Sequence, residues 1–183
     1  MRIISGKFGG RKFIPPAKNW PTRPTTDISK EGLFNILQNE INFEETKMLD
    51  LFGGTGNHCY EFISRGCQDV TYVDQHGPAI GFVKKLSKEL EIENHLTIIK
   101  SDVFRFIKRC STQYDYIFAG PPYPLPNLGE IPNILFKANI LAPEGLFVME
   151  HNPEHNFEAH SNFIKSRNYG QTIFTFFKNV EDK

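Results

Sequence analysis

The fold class is decided by one run of residues, Met48-Leu49-Asp50-Leu51-Phe52-Gly53-Gly54-Thr55-Gly56. Its apolar residues predict a buried strand, and its glycines predict a turn that lets the backbone approach a ligand closely. The helix predicted after the turn would present unpaired N–H groups and the positive end of its dipole to that ligand. A glycine turn also occurs as a plain tight connection in many α/β proteins, so it indicates an architecture and not yet a ligand.

Outward from this run, short apolar stretches alternate with amphipathic ones. Further strands are predicted at residues 70–74, 96–99, 114–119 and 146–150, with apolar residues at helical spacing between them. This alternation predicts a parallel sheet covered by helices on both faces. Residues 163–168 and 172–178 flank a Tyr-Gly-Gln turn and predict an antiparallel hairpin that closes one edge of the sheet.

Two common nucleotide-binding motifs are absent from the glycine turn. A dinucleotide fingerprint GxGxxG would begin at Gly54 and Gly56, but Cys59 occupies its third glycine position. A Walker A loop needs a Gly-Lys-Ser/Thr triplet after the turn, and the sequence has none there. The turn therefore does not favour a nicotinamide cofactor or a nucleoside triphosphate.

Three acids stand at the ends of three predicted strands, where ligands bind in such sheets. Asp74 ends the second strand, where a carboxylate can accept both ribose hydroxyl protons of an adenosine ligand. Asp102 follows the third strand and is placed to meet an adenine amino group, whereas Asp50 precedes the turn and would face a ligand ammonium. Each acid alone is more typical of a helix cap or a solvated charge. Together they predict an adenosine ligand with an amino acid and no phosphates, which is S-adenosylmethionine.

The turn Gly120-Pro121-Pro122-Tyr123 follows the fourth predicted strand. Two prolines force an extended, rigid backbone, so Tyr123 and the preceding carbonyls are fixed at the mouth of the site. An ordinary rigid strand exit would explain the motif in isolation. At this strand end, after the glycine turn and the acids, we favour a platform on which a planar base stacks on the Tyr123 ring.

Composition bounds the class of protein. The 183 residues and 21.0 kDa suit one domain over residues 1–183, and 39% hydrophobic with 23% charged residues is typical of a globular protein. No apolar run approaches the roughly 20 residues that span a bilayer, so we expect no membrane partner. Three cysteines without CxxC spacing, and a His151/His155 pair interrupted by Pro153, argue against disulfides and against a metal site. We expect a cytoplasmic protein.

The net charge of zero hides an uneven distribution. Residues 1–30 contain seven basic side chains and one acid, a local charge of +6, which leaves −6 for the rest of the chain. The apolar pairs Ile3-Ile4 and Phe13-Ile14 flank a Lys-Phe-Gly-Gly segment and predict a β-hairpin within a basic N-terminal arm over residues 1–26. A merely solvated arm is the alternative. A helix over residues 27–39 follows, with Asp27 as its expected N-cap.

The chain now resembles a known family, the bacterial methyltransferases of the RsmD type, which modify guanine N2 in small-subunit ribosomal RNA. The resemblance covers almost the whole chain. The residues that carry it are Met1-Arg2-Ile3-Ile4-Ser5-Gly6-Lys7, Gly10-Arg11-Lys12, Arg23-Pro24-Thr25-Thr26-Asp27, Leu33-Phe34-Asn35, residues 50–56, Ser64-Arg65-Gly66, Asp74, Asp102, Pro121-Pro122-Tyr123 and Glu150-His151. The opening segment and the Arg-Pro-Thr-Thr-Asp segment are more specific than the glycine turn, which all class I methyltransferases share.

The resemblance implies a class I, Rossmann-like methyltransferase fold. Its mostly parallel sheet has seven strands, with a C-terminal antiparallel hairpin and an N-terminal β-hairpin extension. It implies S-adenosylmethionine at Asp50, Gly53, Gly54, Thr55, Gly56, Asp74, Asp102 and Val103, catalysis at Pro121, Pro122 and Tyr123, and RNA contacts at Arg2, Lys7, Arg11, Lys12 and Arg23.

Two departures from the family pattern affect the predicted chemistry. The family motif reads Asp/Asn-Pro-Pro-Tyr/Phe, and here Gly120 replaces its first residue, so a side-chain acceptor for the target amine is missing. Loss of one acceptor costs roughly 10²-fold in rate if nothing replaces it. A substitute acceptor, a weakened or inactive enzyme, and an altered substrate are the three explanations. Residues 57–60 (Asn-His-Cys-Tyr) are also bulkier than usual after the glycine turn and would reshape the methionine end of the cofactor site.

We therefore expect transfer of a methyl group to a guanine N2 in ribosomal RNA. The expected partner is ribosomal RNA or an assembling small subunit, and the protein is expected to be a monomer. One alternative is a methyltransferase for DNA adenine or a glutamine amide, because the Pro-Pro-Tyr platform also suits those planar nitrogens. The other is a non-catalytic RNA-binding or assembly factor, with Gly120 as the mark of lost activity.

Overall fold

The computed structural model describes residues 1–16, Trp20 and residues 26–180. Within these ranges the helices are α1 (Asp27–Leu37), α2 (Asn57–Ser64), α3 (Gly77–Glu89), α4 (Val103–Arg109) and α5 (Ile131–Ala138). The strands are β1 (Lys47–Leu51), β2 (Asp69–Asp74), β3 (Leu96–Lys100), β4 (Tyr114–Ala119), β5 (Leu141–His151), β6 (Phe163–Tyr169) and β7 (Thr172–Lys178). No helix among these is long and apolar enough to cross a membrane.

The seven described strands form one sheet in the order β3-β2-β1-β4-β5-β7-β6. Strands β1 to β5 pair in parallel, and β7 pairs antiparallel with both β5 and β6. This arrangement confirms the predicted parallel sheet and its antiparallel C-terminal hairpin. Because β1 to β5 are parallel, their carboxyl ends meet at one edge, where the predicted site residues lie.

Each face of the sheet carries its own hydrophobic core. Helices α1, α2 and α3 pack on one face, where Phe34, Phe62 and Val83 are fully buried. Helices α4 and α5 pack on the other face, where Ile107 and Leu135 are fully buried. Helical covers on both faces exclude water from the sheet, which explains why β1, β2 and β4 are buried runs without polar alternation.

The N-terminal hairpin is a loop that one antiparallel bridge closes, between Arg2 and Lys12. It contains no longer ladder of paired residues, although Ile3 and Phe8 are buried in the core beside α1 and α2. The sequence correctly places the two ends of this loop side by side. The predicted hairpin is therefore present, held by one bridge and its flanking backbone hydrogen bonds.

Some backbone donors of this N-terminal loop bond to helix α2, whereas those of Ile3 and Phe13 bond across the loop itself. The Ile4 and Ser5 N–H groups donate to the Glu61 carboxylate at 2.8 and 3.1 Å. The Phe8 N–H donates to the Ser64 hydroxyl at 2.9 Å. Because buried backbone donors need partners, these bonds to α2 replace those of a longer ladder and fix the loop against the helix.

Two element boundaries differ from the sequence expectation. The N-cap of α1 is Thr26, whose Oγ1 accepts from the Ser29 N–H at 3.2 Å, so the assignment of Asp27 as the cap is wrong. Asp27 lies one residue inside the helix and pairs with Arg2 at 3.8 Å. Strand β5 begins at residue 141 and not 146, because a bulge lets its early residues pair with the start of β4.

The anchoring of the N-terminal loop predicts a difference between two glycines. Gly6 and Gly10 both have positive φ angles, 79° and 84°, but a Cβ on Gly6 would overlap the backbone carbonyl of Ser64, whereas one on Gly10 meets nothing within 4 Å. Alanine at either position adds left-handed strain of about 1–2 kcal/mol. Gly6→Ala should lower the free energy of unfolding by a further 1–3 kcal/mol or so, as chemical denaturation will measure. Equal losses in Gly6→Ala and Gly10→Ala would contradict the anchoring.

Candidate active site

The glycine turn turns the chain sharply from β1 into α2. Phe52, Gly54 and Gly56 have φ angles of 60°, 52° and 75°, in the left-handed region that bulky side chains rarely adopt. A Cβ on Gly53 would overlap the ring of Tyr72, which is fully buried. The predicted turn is therefore present, and its left-handed Phe52 is a strained position of the kind that occurs at ligand sites.

Asp74 holds the glycine turn in place from the neighbouring strand. One carboxylate oxygen accepts from the Gly54 N–H and the other from the His76 N–H, both at 2.8 Å. The Tyr72 hydroxyl donates to the Gly54 carbonyl at 2.8 Å, so residue 54 is held on both sides. A carboxylate has about four lone-pair positions and can accept further bonds from ribose hydroxyls.

Asp50 lies beneath the turn as a buried acid. It is 1% exposed and accepts a hydrogen bond from the Cys59 thiol at 3.1 Å. Burial chiefly raises the pKa of its carboxyl, to about 7, and the nearby charges of Asp74 and Glu150 raise it further, against the bond from Cys59. A cation that binds nearby would favour the ionised form.

The two residues predicted at the end of β3 have local roles in the fold. Asp102 is the N-cap of α4, and its side chain accepts from the Arg105 N–H at 2.9 Å. Val103 begins the helix with its side chain buried in the core beneath α4. Ser101 donates its N–H to the Asp74 carbonyl at 3.0 Å, so this loop lies beside the β2 end of the site.

The Pro121-Pro122-Tyr123 turn leaves β4 at the same edge of the sheet. The Pro122 carbonyl accepts from the Leu125 N–H at 2.9 Å, which closes the turn. The Tyr123 hydroxyl donates to the Glu150 carboxylate at 3.2 Å, and Tyr123 itself is half-buried. This bond fixes the ring between the ends of β4 and β5.

The space next to Gly120 is filled by an aromatic stack. A Cβ on Gly120 would lie 3.2 Å from the Phe118 ring, closer than most van der Waals contacts. Phe118 in turn stacks on His58, with ring centroids 3.9 Å apart and planes at 7°. His58 also shares a hydrogen bond of 3.0 Å with the Tyr116 hydroxyl. Burial, and to a lesser degree the charge of Lys30, hold the pKa of His58 well below its usual value, so His58 packs as a neutral ring.

The predicted RNA contacts lie mostly on the N-terminal loop. Lys7, Arg11 and Lys12 are exposed, and both the Lys7 amine and the Arg11 guanidinium lie over the Phe8 ring, 5.2 and 5.1 Å from its centroid. Arg2 differs, because it pairs with acids of α1 at 3.6 and 3.8 Å. Arg23 lies outside the residues that the structure describes.

Sequence reasoning places Cys59 at the methionine end of the site but misses its bond to Asp50, gives Glu150 no role in the site, and misses Trp20 altogether. Glu150 is 6% exposed near the end of β5, and its position at a strand end is the same signal that identified Asp74. No local pattern relates Cys59 to Asp50, since their contact depends on how α2 packs on β1. Trp20 reaches His76, with ring centroids 5.4 Å apart, from the N-terminal part of the chain.

The buried carboxylates at the carboxyl ends of the parallel strands suit S-adenosylmethionine as a ligand. That molecule carries a sulfonium and an ammonium, and Asp50 and Asp74 are buried carboxylates, neither more than 7% exposed. Buried negative charges need positive partners, which such a ligand supplies. In the described part of the chain, no group of three or more His, Cys, Asp or Glu side chains is arranged to hold a metal ion.

Strand order and site together define a class I, Rossmann-like methyltransferase. Residues 1–178 match the protein family described as "Conserved hypothetical protein 95", and the chain belongs to this family. "Putative rRNA methyltransferase YlbH" of Bacillus subtilis is 34% identical over 84% of each chain. "Ribosomal RNA small subunit methyltransferase D" of Buchnera aphidicola is 33% identical over 82% of this chain and 75% of its own. The predicted RsmD-type resemblance is therefore confirmed.

Solved structures agree on the fold. "Putative methyltransferase yhhF" from Escherichia coli superposes with a TM-score of 0.82 at 27% identity and covers 97% of this chain and 96% of its own. A Thermus thermophilus 16S rRNA N2 G1207 methyltransferase "in complex with AdoMet and Guanosine" has a TM-score of 0.68. At 18% identity, over 87% of this chain and 45% of its own, it shows the fold alone. These comparisons confirm the predicted fold, and the methyltransferase names of the relatives agree with the predicted cofactor, S-adenosylmethionine.

The buried Asp50 predicts that cofactor affinity depends on pH. Its pKa of about 7 means that the ionised fraction rises about tenfold between pH 6 and pH 8. If the cationic cofactor requires the ionised form, its dissociation constant, measured by titration calorimetry, should fall by up to about tenfold over this range. Asp50→Asn should bind more weakly and lose this dependence, whereas Asp69→Asn, at an exposed acid, should keep it. An unchanged pH profile in Asp50→Asn would refute the assignment.

Proposed function

We propose that this protein transfers a methyl group from S-adenosylmethionine to the exocyclic N2 amine of a guanine in small-subunit ribosomal RNA. The observation that carries the proposal is the Tyr123–Glu150 pair, which lies at the same sheet edge as the acids of the cofactor turn. An aromatic ring and a carboxylate beside a cofactor site suit a planar base that bears an amine. The names of the curated relatives, which are ribosomal RNA methyltransferases, support RNA as the substrate.

Positioning accounts for most of the chemistry. The guanine N2 lone pair is delocalised into the ring, so the amine is a poor nucleophile. Bound S-adenosylmethionine supplies an electrophilic methyl group on its sulfonium. Tyr123 would fix the plane of the base by stacking, and acceptors near it would hold the N–H protons so that the lone pair points at the methyl carbon.

The target base has to leave its helix before it reaches this site. The platform lies at the edge of the sheet in a turn, and a base stacked inside an RNA duplex cannot contact both Tyr123 and the cofactor. Enzymes that modify base atoms act on flipped or unpaired nucleotides for this reason. The substrate is therefore a guanine in a loop, a bulge or an opened pair.

The N-terminal loop is the element proposed to bind the RNA backbone. Three cations, Lys7, Arg11 and Lys12, are exposed on one short loop whose core residues Ile3 and Phe8 are buried. A fixed cluster of this kind supplies the sequence-independent phosphate contacts that dominate affinity for nucleic acids. The acid partners of Arg2 weaken its contribution relative to the other three.

We further propose a single cytoplasmic domain over residues 1–183 that acts as a monomer. One observation favours a second candidate, a non-catalytic RNA-binding factor, because Gly120 has no side chain to accept a bond from the amine. Nothing comparable favours DNA adenine or a glutamine amide as the substrate.

Labelled methyl transfer to undermodified small ribosomal subunits tests the proposed function. The natural protein should transfer the label, and Gly120→Asp should not exceed it, because the new Cβ crowds Phe118 at 3.2 Å. Calorimetric titration with S-adenosylmethionine serves as the control for an intact cofactor site. Transfer by Gly120→Asp alone, with none by the natural protein, would establish the non-catalytic candidate instead.

If the N-terminal loop binds RNA through its charges, their removal should lower RNA affinity and its salt dependence. Replacement of Arg11 and Lys12 by glutamine should weaken RNA binding and make the slope of log affinity against log salt concentration shallower by about 2. The matched control Lys84→Gln with Lys88→Gln removes two exposed charges from α3, on another part of the surface, and should leave the slope unchanged. Affinity for S-adenosylmethionine should stay constant in both variants. Equal slopes in the two pairs would exclude this loop as the RNA contact.

A further inference from the structure

Glu150 lies next to Gly120, the position at which the family motif has an aspartate or asparagine side chain. Ala119, the last residue of β4, pairs with Met149 of β5, so residue 120 is the neighbour of residue 150. A Cβ on Gly120 would point towards Phe118, in the core beneath α1 and α2. Glu150 pairs with Phe174, which belongs to the same core. The two positions therefore lie side by side on one face of the sheet.

The charge of the Glu150 carboxylate acts on an acid of the cofactor turn, Asp50, while its hydrogen bond is made with the predicted base platform. It is 6% exposed and accepts from the Tyr123 hydroxyl at 3.2 Å. Burial chiefly raises the pKa of Asp50, and the charges of Asp74 and Glu150 add to that rise, so the three acids are close enough to interact. Glu150 thus connects the predicted base platform with the acids around the glycine turn.

We infer that Glu150 is a catalytic residue, the acceptor that takes the N1–H and N2–H donors of the target guanine in place of a side chain at residue 120. The inference rests on the proposed function and names the group that makes it possible in this chain. It supplies the substitute acceptor that the Gly-Pro-Pro-Tyr turn requires.

The chemistry of guanine explains why a carboxylate suits this position. The Watson–Crick edge of guanine presents two adjacent donors, N1–H and one proton of N2, and a carboxylate accepts such a pair with its two oxygens. A carboxylate has enough lone pairs to accept from Tyr123 and from a base at the same time. Adenine presents an acceptor, N1, beside its amine, and the negative charge would repel it. Glu150 would therefore also select guanine over adenine.

The proton balance of the transfer gives Glu150 a second role. The N2 lone pair forms the new N–C bond while the bond between the methyl carbon and sulfur breaks, and the electron pair of that bond stays on sulfur. The amine then carries one proton too many and a positive charge. That proton passes to the Glu150 carboxylate and from there to water, which leaves a neutral methylated guanine.

Replacement of Glu150 by glutamine tests this role with little change in size. The amide oxygen can still accept from Tyr123, but the charge and one acceptor are lost. Single-turnover methyl transfer to undermodified small subunits should fall by about 100-fold or more. At pH 8, where Asp50 is mostly ionised with or without the charge of Glu150, the dissociation constants for S-adenosylmethionine and for RNA should change less than threefold. The matched control is Glu144→Gln, an exposed glutamate on the same strand, and should keep full activity.

A reciprocal exchange separates an acceptor role from a structural one. Gly120→Asp in the Glu150→Gln background returns a carboxylate to the neighbouring strand on the same face. It should recover at least about tenfold of the lost rate, although the aspartate Cβ must fit against Phe118. A residue that only supported Tyr123 would not be rescued in this way.

The outcomes distinguish the proposed function from the acceptor role of Glu150. Activity of Glu150→Gln within threefold of the natural protein would overturn the inference and leave the proposed function intact. Loss of S-adenosylmethionine binding in Glu150→Gln would also overturn it, since the residue would then belong to the cofactor site. No transfer by the natural protein, on subunits that a control methyltransferase does modify, would overturn the proposed function and the inference together.

Discussion

One buried carboxylate, that of Glu61, ties together three parts of the chain. It accepts from the Ile4 and Ser5 N–H groups of the N-terminal loop, and from Arg65 at 3.0 Å at the end of α2. It also pairs at 3.1 Å with Lys30 of α1, whose side chain is 1% exposed. Removal of one partner from such a pair leaves an uncompensated buried charge and typically costs 3–5 kcal/mol or so. The position of the loop depends on this cluster more than on its own single bridge.

The same cluster connects the N-terminal loop, proposed to bind RNA, with the glycine turn. The Lys30 amine donates to the Arg2 carbonyl at 2.6 Å and to the Asn57 side chain at 2.8 Å. Asn57 is the first residue of α2, directly after the glycine turn. Burial lowers the pKa of Lys30, and the charge of Glu61 opposes that shift. The loop proposed to hold RNA and the turn that fits the cofactor therefore share one anchor in the core, so each would be displaced if it were lost.

Much of the sheet could be predicted from local patterns of apolar residues. Short stretches of sequence are enough to distinguish buried strands from amphipathic helices. The strand-end acids were found the same way, since parallel strands bring their carboxyl ends together. The anchoring of the N-terminal loop could not be predicted, because the partners of Ile4 and Ser5 lie more than 50 residues away on α2. The role proposed for Glu150 depends equally on register, which places it beside Gly120 only once β4 and β5 are paired. Local sequence therefore predicts the helices and strands, whereas the arrangement of the candidate active site depends on contacts between residues that are distant in sequence.

The central claim is that a guanine N2 is the atom methylated at the Tyr123–Glu150 edge. Its most direct test is mass spectrometry of nucleosides from small-subunit RNA after incubation with the natural protein and isotope-labelled S-adenosylmethionine. The account predicts label in N2-methylguanosine and at a single position of the RNA. Label in N6-methyladenosine, or in the ribosomal proteins with none in the RNA, would contradict it.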